Sequence, residues 1–288
     1  MTRTKPSDAA VGCLFLVATP IGNLEDITLR ALRVLKEADL VACEDTRQTQ
    51  KLLNHYELRK QMVSYHAHNE MTRAPELLIE MEQGAKVALV TDAGMPAISD
   101  PGHHLVALCL RHKIPVVPVP GATALVAALA ASGLPTEKFI FLGFLPNRST
   151  DRRKALKPLA GEIRTIVFYE APHRLREMLA DALQILGNRP AVVAREVTKL
   201  HEEFARGTLM ELATEFTRRE PRGEITVLIG APIAEAVQLP SASISLPQRV
   251  GEIMRERGVD QKVALKHAAR EMGITKREAY QRMLREKD

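Results

Sequence analysis

The chain has 288 residues, of which 45% are hydrophobic and 26% charged, a balance typical of a globular protein with two domains. Aromatic residues make up only 4% and Trp is absent, so a row of aromatic rings for stacking single-stranded bases is not expected. The net charge is +5, and 241–288 carry most of it, with 11 Lys and Arg against 7 Asp and Glu.

The first half of the chain, residues 13–131, alternates short apolar runs with segments of helical periodicity. The apolar runs predict buried strands at 14–18, 40–43, 86–91 and 116–119. The periodic segments predict helices at 28–37, 46–55, 73–82 and 102–111. Such alternation is typical of a largely parallel sheet covered by helices, so we predict an N-terminal α/β domain over 12–133.

The same pattern resumes after the Gly-Leu-Pro at 133–135. Strands are predicted at 139–142, 165–169, 191–195 and 225–229. Helices are predicted between them at 152–159, 173–186 and 209–218. A second α/β domain therefore follows over 134–231, with a ligand cleft expected between the two domains.

The C-terminal part differs from the two domains in composition. Residues 232–247 are rich in Ala, Pro and Ser and are typical of a linker, whereas 248–288 are basic and helical in pattern, with breaks at Gly258 and Gly273. The segment 263–284 is typical of a helix-turn-helix. It is interpreted either as a direct RNA contact or as a small cap or dimerisation element. The excess charge favours a polyanionic partner.

The cysteines and the apolar runs bear on cellular location. Cys13, Cys43 and Cys109 lie far apart in apolar runs, so buried thiols in a reducing compartment are expected. The first apolar run, 13–18, is too short for a signal sequence, and no run approaches the roughly 20 residues of a membrane span. We therefore expect a cytoplasmic protein without a membrane partner.

Four unusual loops follow predicted strands of the first domain, at 19–23, 44–47, 92–102 and 118–124. In an open parallel sheet, ligands bind beyond the carboxyl ends of the strands. Glycine lets backbone approach a ligand closely, and proline fixes a loop before binding. Three Gly/Pro loops and one charged loop at one end of a sheet predict a small-molecule site. In the second domain, 168–174, 195–199 and 222–224 are placed to face the same cleft.

Several common sites are absent from the sequence. The chain has no P-loop, no G-x-G-x-x-G after its first strand, no G-x-S-x-G and no H-E-x-x-H. Its nine histidines are dispersed, and His66 and His68 lack a third ligand at metal spacing. A metal site is therefore not expected.

Seven motifs resemble those of the small-subunit ribosomal RNA (cytidine-2′-O)-methyltransferases, within the tetrapyrrole methylase-like superfamily. They are A-T-P-I-G-N-L-E-D-I-T-L-R-A-L at 18–32, E-D-T-R at 44–47, D-A-G-M-P-A-I-S-D-P-G at 92–102, G-L-P-T at 133–136, G-F-L-P at 143–146, F-Y-E-A-P-H-R-L at 168–175 and R-E-V-T-K at 195–199. The resemblance covers nearly the whole chain. The departures are small: Met95 stands where the family often has Thr, and Gln48 where it often has His.

The resemblance implies two α/β domains, S-adenosyl-L-methionine in the cleft between them, and a homodimer. It implies methylation of a cytidine ribose 2′-hydroxyl in small-subunit (16S) ribosomal RNA, on naked RNA or on an assembled subunit, with no metal. The residues assigned to the donor are Pro20, Gly22, Asp92, Ala93, Gly94, Pro96, Pro120, Gly121, Ala122, Thr123, Tyr169 and Glu224.

The family supplies no secure general base. Glu170 and Lys199 are the candidates because both lie at strand ends beside the cleft, and Lys199 would need a depressed pKa. Positioning alone, with the proton lost to water, is the other possibility. Two alternative functions stay open: methylation of a small tetrapyrrole-like metabolite, and a nucleic-acid-binding regulator that uses the C-terminal helices.

Overall fold

A computed structural model describes residues 12–219, 221–232, 246–271 and 275–285. The chain divides into two compact units, Met1–Pro232 and Ile233–Asp288. Most of the predicted linker, 233–245, lies outside the described residues, and so does the predicted turn around Gly273. Leu246 and Pro247, which the sequence assigned to the linker, begin a helix instead.

The first sheet is entirely parallel, with strand order β3-β2-β4-β1-β5. Its strands are β1 (Cys13–Val17), β2 (Leu40–Cys43), β3 (Gln61–Ser64), β4 (Lys86–Val90) and β5 (Val116–Val119). The helices that follow them are α1 (Leu29–Glu37), α2 (Thr46–His55), α3 (Glu70–Glu82), α4 (His103–Arg111) and α5 (Ala124–Ser132).

Both faces of this sheet are buried, which is why its central strands are almost wholly apolar. One face packs with Leu77 and Met81 of α3, and the other with Val34 and Leu35 of α1. Successive strand residues point to opposite faces, so Leu14 belongs to the first cluster and Val17 to the second. This packing fixes the carboxyl-end loops at one edge of the sheet.

The second sheet is mixed, with strand order β6-β7-β10-β8-β9, and β6 and β7 are its parallel pair. Its strands are β6 (Phe139–Phe144), β7 (Thr165–Glu170), β8 (Pro190–Arg195), β9 (Glu203–Thr208) and β10 (Ile225–Ile229). The helices of this part are α6 (Ser149–Leu156), α7 (Leu175–Leu186) and α8 (Leu209–Arg218).

Three elements were not predicted from the sequence. The edge strands β3 and β9 have no fully buried residue, so they lack the apolar run that marks a strand. Helix α5 is apolar almost throughout and lacks a periodic stripe. Its Ala128 and Leu129 pack against Val167, Val192 and Leu228 of the second sheet, although α5 precedes the predicted domain boundary at 133.

The second unit contains the helices α9 (Leu246–Arg257), α10 (Gln261–Glu271) and α11 (Lys276–Arg285). They share a small core of their own, formed by Leu246, Val250, Ile253, Ala264, Leu265, Ala268, Ala269 and Ala279. In the ranges that the structure describes, no helix is long and apolar enough to cross a membrane.

Candidate active site

A cavity of about 600 Å³ is bounded by loops from both sheets of the first unit. The first sheet contributes the residues that follow β2 and β4 and the start of α5, as expected for the carboxyl edge of a parallel sheet. The second sheet contributes the ends of β6 and β7, the segment after β8 and the start of β10. We refer to this space as the larger cavity.

Part of the wall of the larger cavity is apolar and aromatic. Ile98, Val126 and Phe144 line it, and about half of each of these side chains is exposed. The Tyr169 ring packs edge-on against Phe141, with centroids 4.9 Å apart, and lies 5.7 Å from Phe144. Its hydroxyl accepts a hydrogen bond from the Leu125 backbone N–H at 3.2 Å, which fixes the ring in the cavity wall.

Five acidic residues line the larger cavity, namely Glu44, Asp92, Asp100, Glu170 and Glu224. Among the described residues that form its wall, none is Lys or Arg. The cavity is therefore suited to a ligand with positive charge. Its volume falls within the range of about 300–1,000 Å³ that is usual for small-molecule sites.

Asp100 is the carboxyl group whose acidity the cavity changes most clearly. Burial, and after it the charge of the nearby Glu44, raises its pKa from 3.8 to about 6. A hydroxyl has a single proton to donate, and that of Thr91 is donated to Glu44 Oε2 at 3.1 Å. Asp100 is therefore left with an accepting oxygen inside the cavity.

Glu170, one of the two predicted proton acceptors, lines the same cavity, but its carboxylate already has an ion-pair and a hydrogen-bond partner. Its side chain is fully buried and forms an ion pair with Arg174, with 3.1 Å between Oε1 and Nε. The same carboxylate accepts the Ala171 N–H at 2.8 Å. Arg174 also binds the Leu145 carbonyl and the Asn147 side chain. Glu170 thus holds the loop after β6 against β7.

Lys199, the other predicted acceptor, does not line the larger cavity. Its Nζ lies 2.9 Å from Glu196 Oε1 and 3.3 Å from Glu224 Oε2. Burial lowers the pKa of Lys199, but the hydrogen bond with Glu196 and the charge of Glu224 outweigh burial, so the pKa is raised. The depressed pKa that a lysine base requires is not found. Its stem crosses Gly22, where a Cβ atom would lie 2.2 Å from Lys199 Cγ.

A second space of about 390 Å³, which we call the smaller cavity, adjoins the first. It lies between the loop after β1 and the first turns of α2, and its basic residues are Lys51 and Lys199. Five residues line both spaces: Ile21, Thr91, Asp92, Ala93 and Glu224. The two cavities therefore share a wall.

The structure brings most of the predicted donor residues to these cavities. Those lining the larger cavity are Asp92, Ala93, Gly94, Thr123, Tyr169 and Glu224. Pro20 and Gly22 line the smaller cavity, together with Asp92, Ala93 and Glu224. The remaining four, Pro96, Pro120, Gly121 and Ala122, line neither cavity in the described structure.

The two glycines with the clearest sequence signal have different physical roles. At Gly121 a Cβ atom would lie 2.9 Å from Ala18 Cβ, so this glycine permits close packing of two loops. Gly94 has a φ of +88°, and a Cβ atom added to it would lie 3.5 Å from its nearest neighbour, Ile21 Cγ2. The N–H and carbonyl of Gly94 both pair with Thr19, at 3.1 and 2.9 Å, so this backbone shapes the cavity without offering free polar groups.

Backbone strain is concentrated in the loops around the site. Ala97 and Ser99 have φ values of 68° and 61°, and Glu196 and Thr198 have values of 52° and 69°. Residues other than glycine adopt this conformation at a cost, and such residues cluster at functional sites. Ser99 lies beside Asp100, so the strain falls where the cavity carboxylate is held.

Glu44 and Asp100 lie in two of the loops predicted to bind a ligand, but neither was predicted as a site residue. Their signal was acidic residues in the motifs after β2 and β4, and only the fold shows that both motifs reach one cavity. Across the described parts of the chain, no group of three or more His, Cys, Asp or Glu is arranged to hold a metal ion.

Comparison with known proteins identifies the relatives of this chain. The family model of the tetrapyrrole (corrin/porphyrin) methylases matches residues 13–213. A ribosomal RNA small subunit methyltransferase I from Halalkalibacterium halodurans is 48% identical over 93% of this chain and 93% of its own length. A protein of the same name from Thermotoga maritima is 52% identical over 76% of this chain and 98% of its own length.

Solved structures show the same fold. A cobalt precorrin-4 methyltransferase matches 75% of this chain and 94% of its own, with a TM-score of 0.56 and 22% identity. A uroporphyrin-III C-methyltransferase from Thermus thermophilus, complexed with S-adenosylhomocysteine, matches 76% of this chain and 97% of its own, with a TM-score of 0.55 and 25% identity. The predicted fold class of two α/β domains and the predicted resemblance are both confirmed. The chain belongs to the tetrapyrrole methylase family and, within it, to the ribosomal RNA small subunit methyltransferase I proteins.

Proposed function

We propose that this protein transfers the methyl group of S-adenosyl-L-methionine to the 2′-hydroxyl of a cytidine in the RNA of the small ribosomal subunit. The observation that carries this proposal is the near-full-length similarity to relatives named for methylation of that RNA. The family match over 13–213 includes the residues after β2, β4, β7 and β8 that line the larger cavity.

The larger cavity fits the methyl donor. Glu170 and Glu224 are paired with Arg174 and Lys199, and the other acidic residues of the wall suit the sulfonium and ammonium charges, namely Glu44, Asp92 and Asp100. Tyr169, Phe144 and Leu125 offer an apolar surface to an adenine ring. When bound, the donor supplies an electrophilic methyl group, whose transfer to oxygen removes one positive charge and requires the loss of one proton. The protein's own task is to orient the acceptor hydroxyl, exclude water and receive that proton.

Asp100 is the carboxylate of the larger cavity whose pKa best suits it to receive the proton, from an acceptor hydroxyl that reaches the border of the two cavities. It faces the larger cavity, and a pKa of about 6 leaves it ionised at neutral pH. Glu170 is less suitable because Arg174 and the Ala171 N–H already bind its oxygens. Lys199 is less suitable because its raised pKa keeps it protonated. We therefore assign Lys199 and Glu170 to holding the loops, and Asp100 to the proton.

No observation in the structure favours the tetrapyrrole alternative, since likeness to the corrin and porphyrin enzymes at such identity shows the fold alone. A purely regulatory nucleic-acid-binding role would leave the acidic cavity and its buried carboxylates without a purpose. A homodimer and a cytoplasmic location stay predictions, and light scattering tests the first of them.

The experiment supplies methyl-labelled donor with isolated small ribosomal subunits, free ribosomal RNA and uroporphyrinogen as competing acceptors. Label should enter the RNA of the subunit. Alkaline hydrolysis then distinguishes the position, because cleavage needs a free 2′-hydroxyl and the labelled nucleotide should remain in an alkali-resistant dinucleotide. Label in a mononucleotide would indicate base methylation, and label in the tetrapyrrole alone would refute the proposed substrate.

A further inference from the structure

We infer that the smaller cavity holds the acceptor nucleotide, with Lys51 contacting a phosphate beside the ribose that is methylated. This inference rests on the proposed function, because it places the RNA substrate of that reaction. It assigns the two adjoining spaces to the two reactants.

The shared wall supports this division. Ile21, Asp92 and Ala93 line both spaces, so the two spaces border each other at these residues and groups held in them can meet at that border. Methyl transfer requires reacting atoms about 3–3.5 Å apart. Two reactants in adjoining cavities can satisfy this condition, whereas two reactants in separate clefts cannot.

The charges of the two cavities also differ. The larger cavity has five acidic residues in its wall and, within the described structure, no basic one. The smaller cavity has Lys51 and Lys199 in addition to the two acidic residues of the shared wall. A cationic donor is favoured in the first space, and an anionic sugar-phosphate is favoured beside the lysines of the second.

Lys199 forms ion pairs with Glu196 and Glu224, so Lys51 is the lysine of this cavity that we expect to contact a phosphate. Its Nζ contacts the Gln48 side-chain oxygen at 3.2 Å, and both residues lie in the first turns of α2. Arg47 stands one turn before Lys51, and 86% of its side chain is exposed. Its guanidinium is paired with Asp45 at 2.8 Å and Arg47 does not line the smaller cavity, so Lys51 is the cation that α2 contributes there.

The volume agrees with one nucleotide. About 390 Å³ is too small for a stretch of several stacked nucleotides but suits one that has left its neighbours. Enzymes that act on a base commonly extrude its nucleotide from the stack into such a pocket. Leu24 and Leu52 provide the apolar part of this space, against which a pyrimidine ring can lie.

Two variants of the full-length protein test this assignment by independent means. Lys51→Glu reverses the charge, and Gln48→Trp fills the smaller cavity from its exposed side. Their matched controls are Lys157→Glu, at an exposed lysine that lines neither cavity, and Gln50→Trp, on the same helix but outside both linings. Methylation of isolated small subunits gives kcat and KM, and calorimetry gives the affinity for S-adenosylhomocysteine.

We expect Lys51→Glu to raise the KM for the subunit roughly tenfold and to make the salt dependence of log K shallower by about one. Gln48→Trp should abolish methylation. Both variants should keep the S-adenosylhomocysteine affinity of the controls. If both methylate like their controls, or if Gln48→Trp loses S-adenosylhomocysteine, the assignment of the smaller cavity is wrong. If the unmodified protein methylates no subunit RNA, the proposed function itself fails, which is a different result.

Discussion

Replacement of Asp100 by Asn should make the protein more stable and much less active. Burial and the neighbouring Glu44 raise the pKa of Asp100 from 3.8 to about 6, so the folded state binds this proton more tightly than the unfolded chain does. Ionised Asp100 therefore destabilises the fold. This cost is absent below about pH 4 and is complete above about pH 6, where Asn removes it.

The size of the effect follows from the pKa. One pKa unit corresponds to about 1.4 kcal/mol, so a rise of roughly two units gives an upper limit of about 3 kcal/mol. Asp100 is partly exposed, and solvent screening reduces this limit to roughly 1.5 kcal/mol. For a protein of this size the gain corresponds to about 3–6 °C in Tm.

The assay combines thermal unfolding with single-turnover methylation, both measured between about pH 5 and about pH 8. Loss of a general base lowers the rate by about 100-fold or more. In the unmodified protein the rate should fall as the pH drops through about 6, because Asp100 then becomes protonated. The Asn variant should lack this dependence while keeping its affinity for S-adenosylhomocysteine.

The control is Asp151→Asn, since Asp151 is half exposed and lies on α6, outside both cavities. This control variant should have the same Tm and the same pH profile as the unmodified protein. If the Tm of Asp100→Asn exceeds that of the unmodified protein by the same amount at pH 5 as at pH 8, burial of the ionised Asp100 carboxylate does not destabilise the fold. An Asn variant with full activity would refute Asp100 as the proton acceptor.

Four further results are expected. Gly121→Val should lower the Tm, because a side chain there overlaps Ala18, and Gly94→Val should lower it because valine is strained at a φ of +88°. Gly94→Val should in addition weaken S-adenosylhomocysteine binding in calorimetry. Arg174→Ala should destabilise the fold by roughly 3 kcal/mol in denaturant unfolding, since it leaves Glu170 buried without its partner. Truncation after Pro232 should preserve S-adenosylhomocysteine affinity, since a Thermotoga maritima relative matches 76% of this chain over 98% of its own length. It should weaken subunit binding with a shallower salt slope, because residues 241–288 carry 11 Lys and Arg against 7 Asp and Glu. Unchanged subunit binding would refute an RNA role for the C-terminal helices. Methyl transfer should continue in the presence of EDTA. If EDTA abolishes methyl transfer and one specific divalent ion restores it, this prediction is wrong.

Most strands and helices could be predicted, in order and type, from the residues alone. Buried parallel strands such as β1 and β4 are apolar runs, apart from Lys86 at the start of β4, because both faces of their sheet are covered, and this pattern is visible without a structure. Helix α2 begins at Thr46, as its spacing predicts, because the Asp45 side chain accepts the Arg47 N–H and caps it. The long motifs also sufficed to predict the family.

Which motif residues line a cavity depends on how the strands are arranged in the folded protein. Glu44 and Asp100 are 56 positions apart in the chain, and only the adjacency of β2 and β4 in the sheet brings them to one cavity. Pro120 and Gly121 have the composition of a binding loop, yet Gly121 is required for packing against Ala18. A pKa depends on burial and on neighbours in space, so the raised pKa of Lys199 and the proton affinity of Asp100 could be known only after folding.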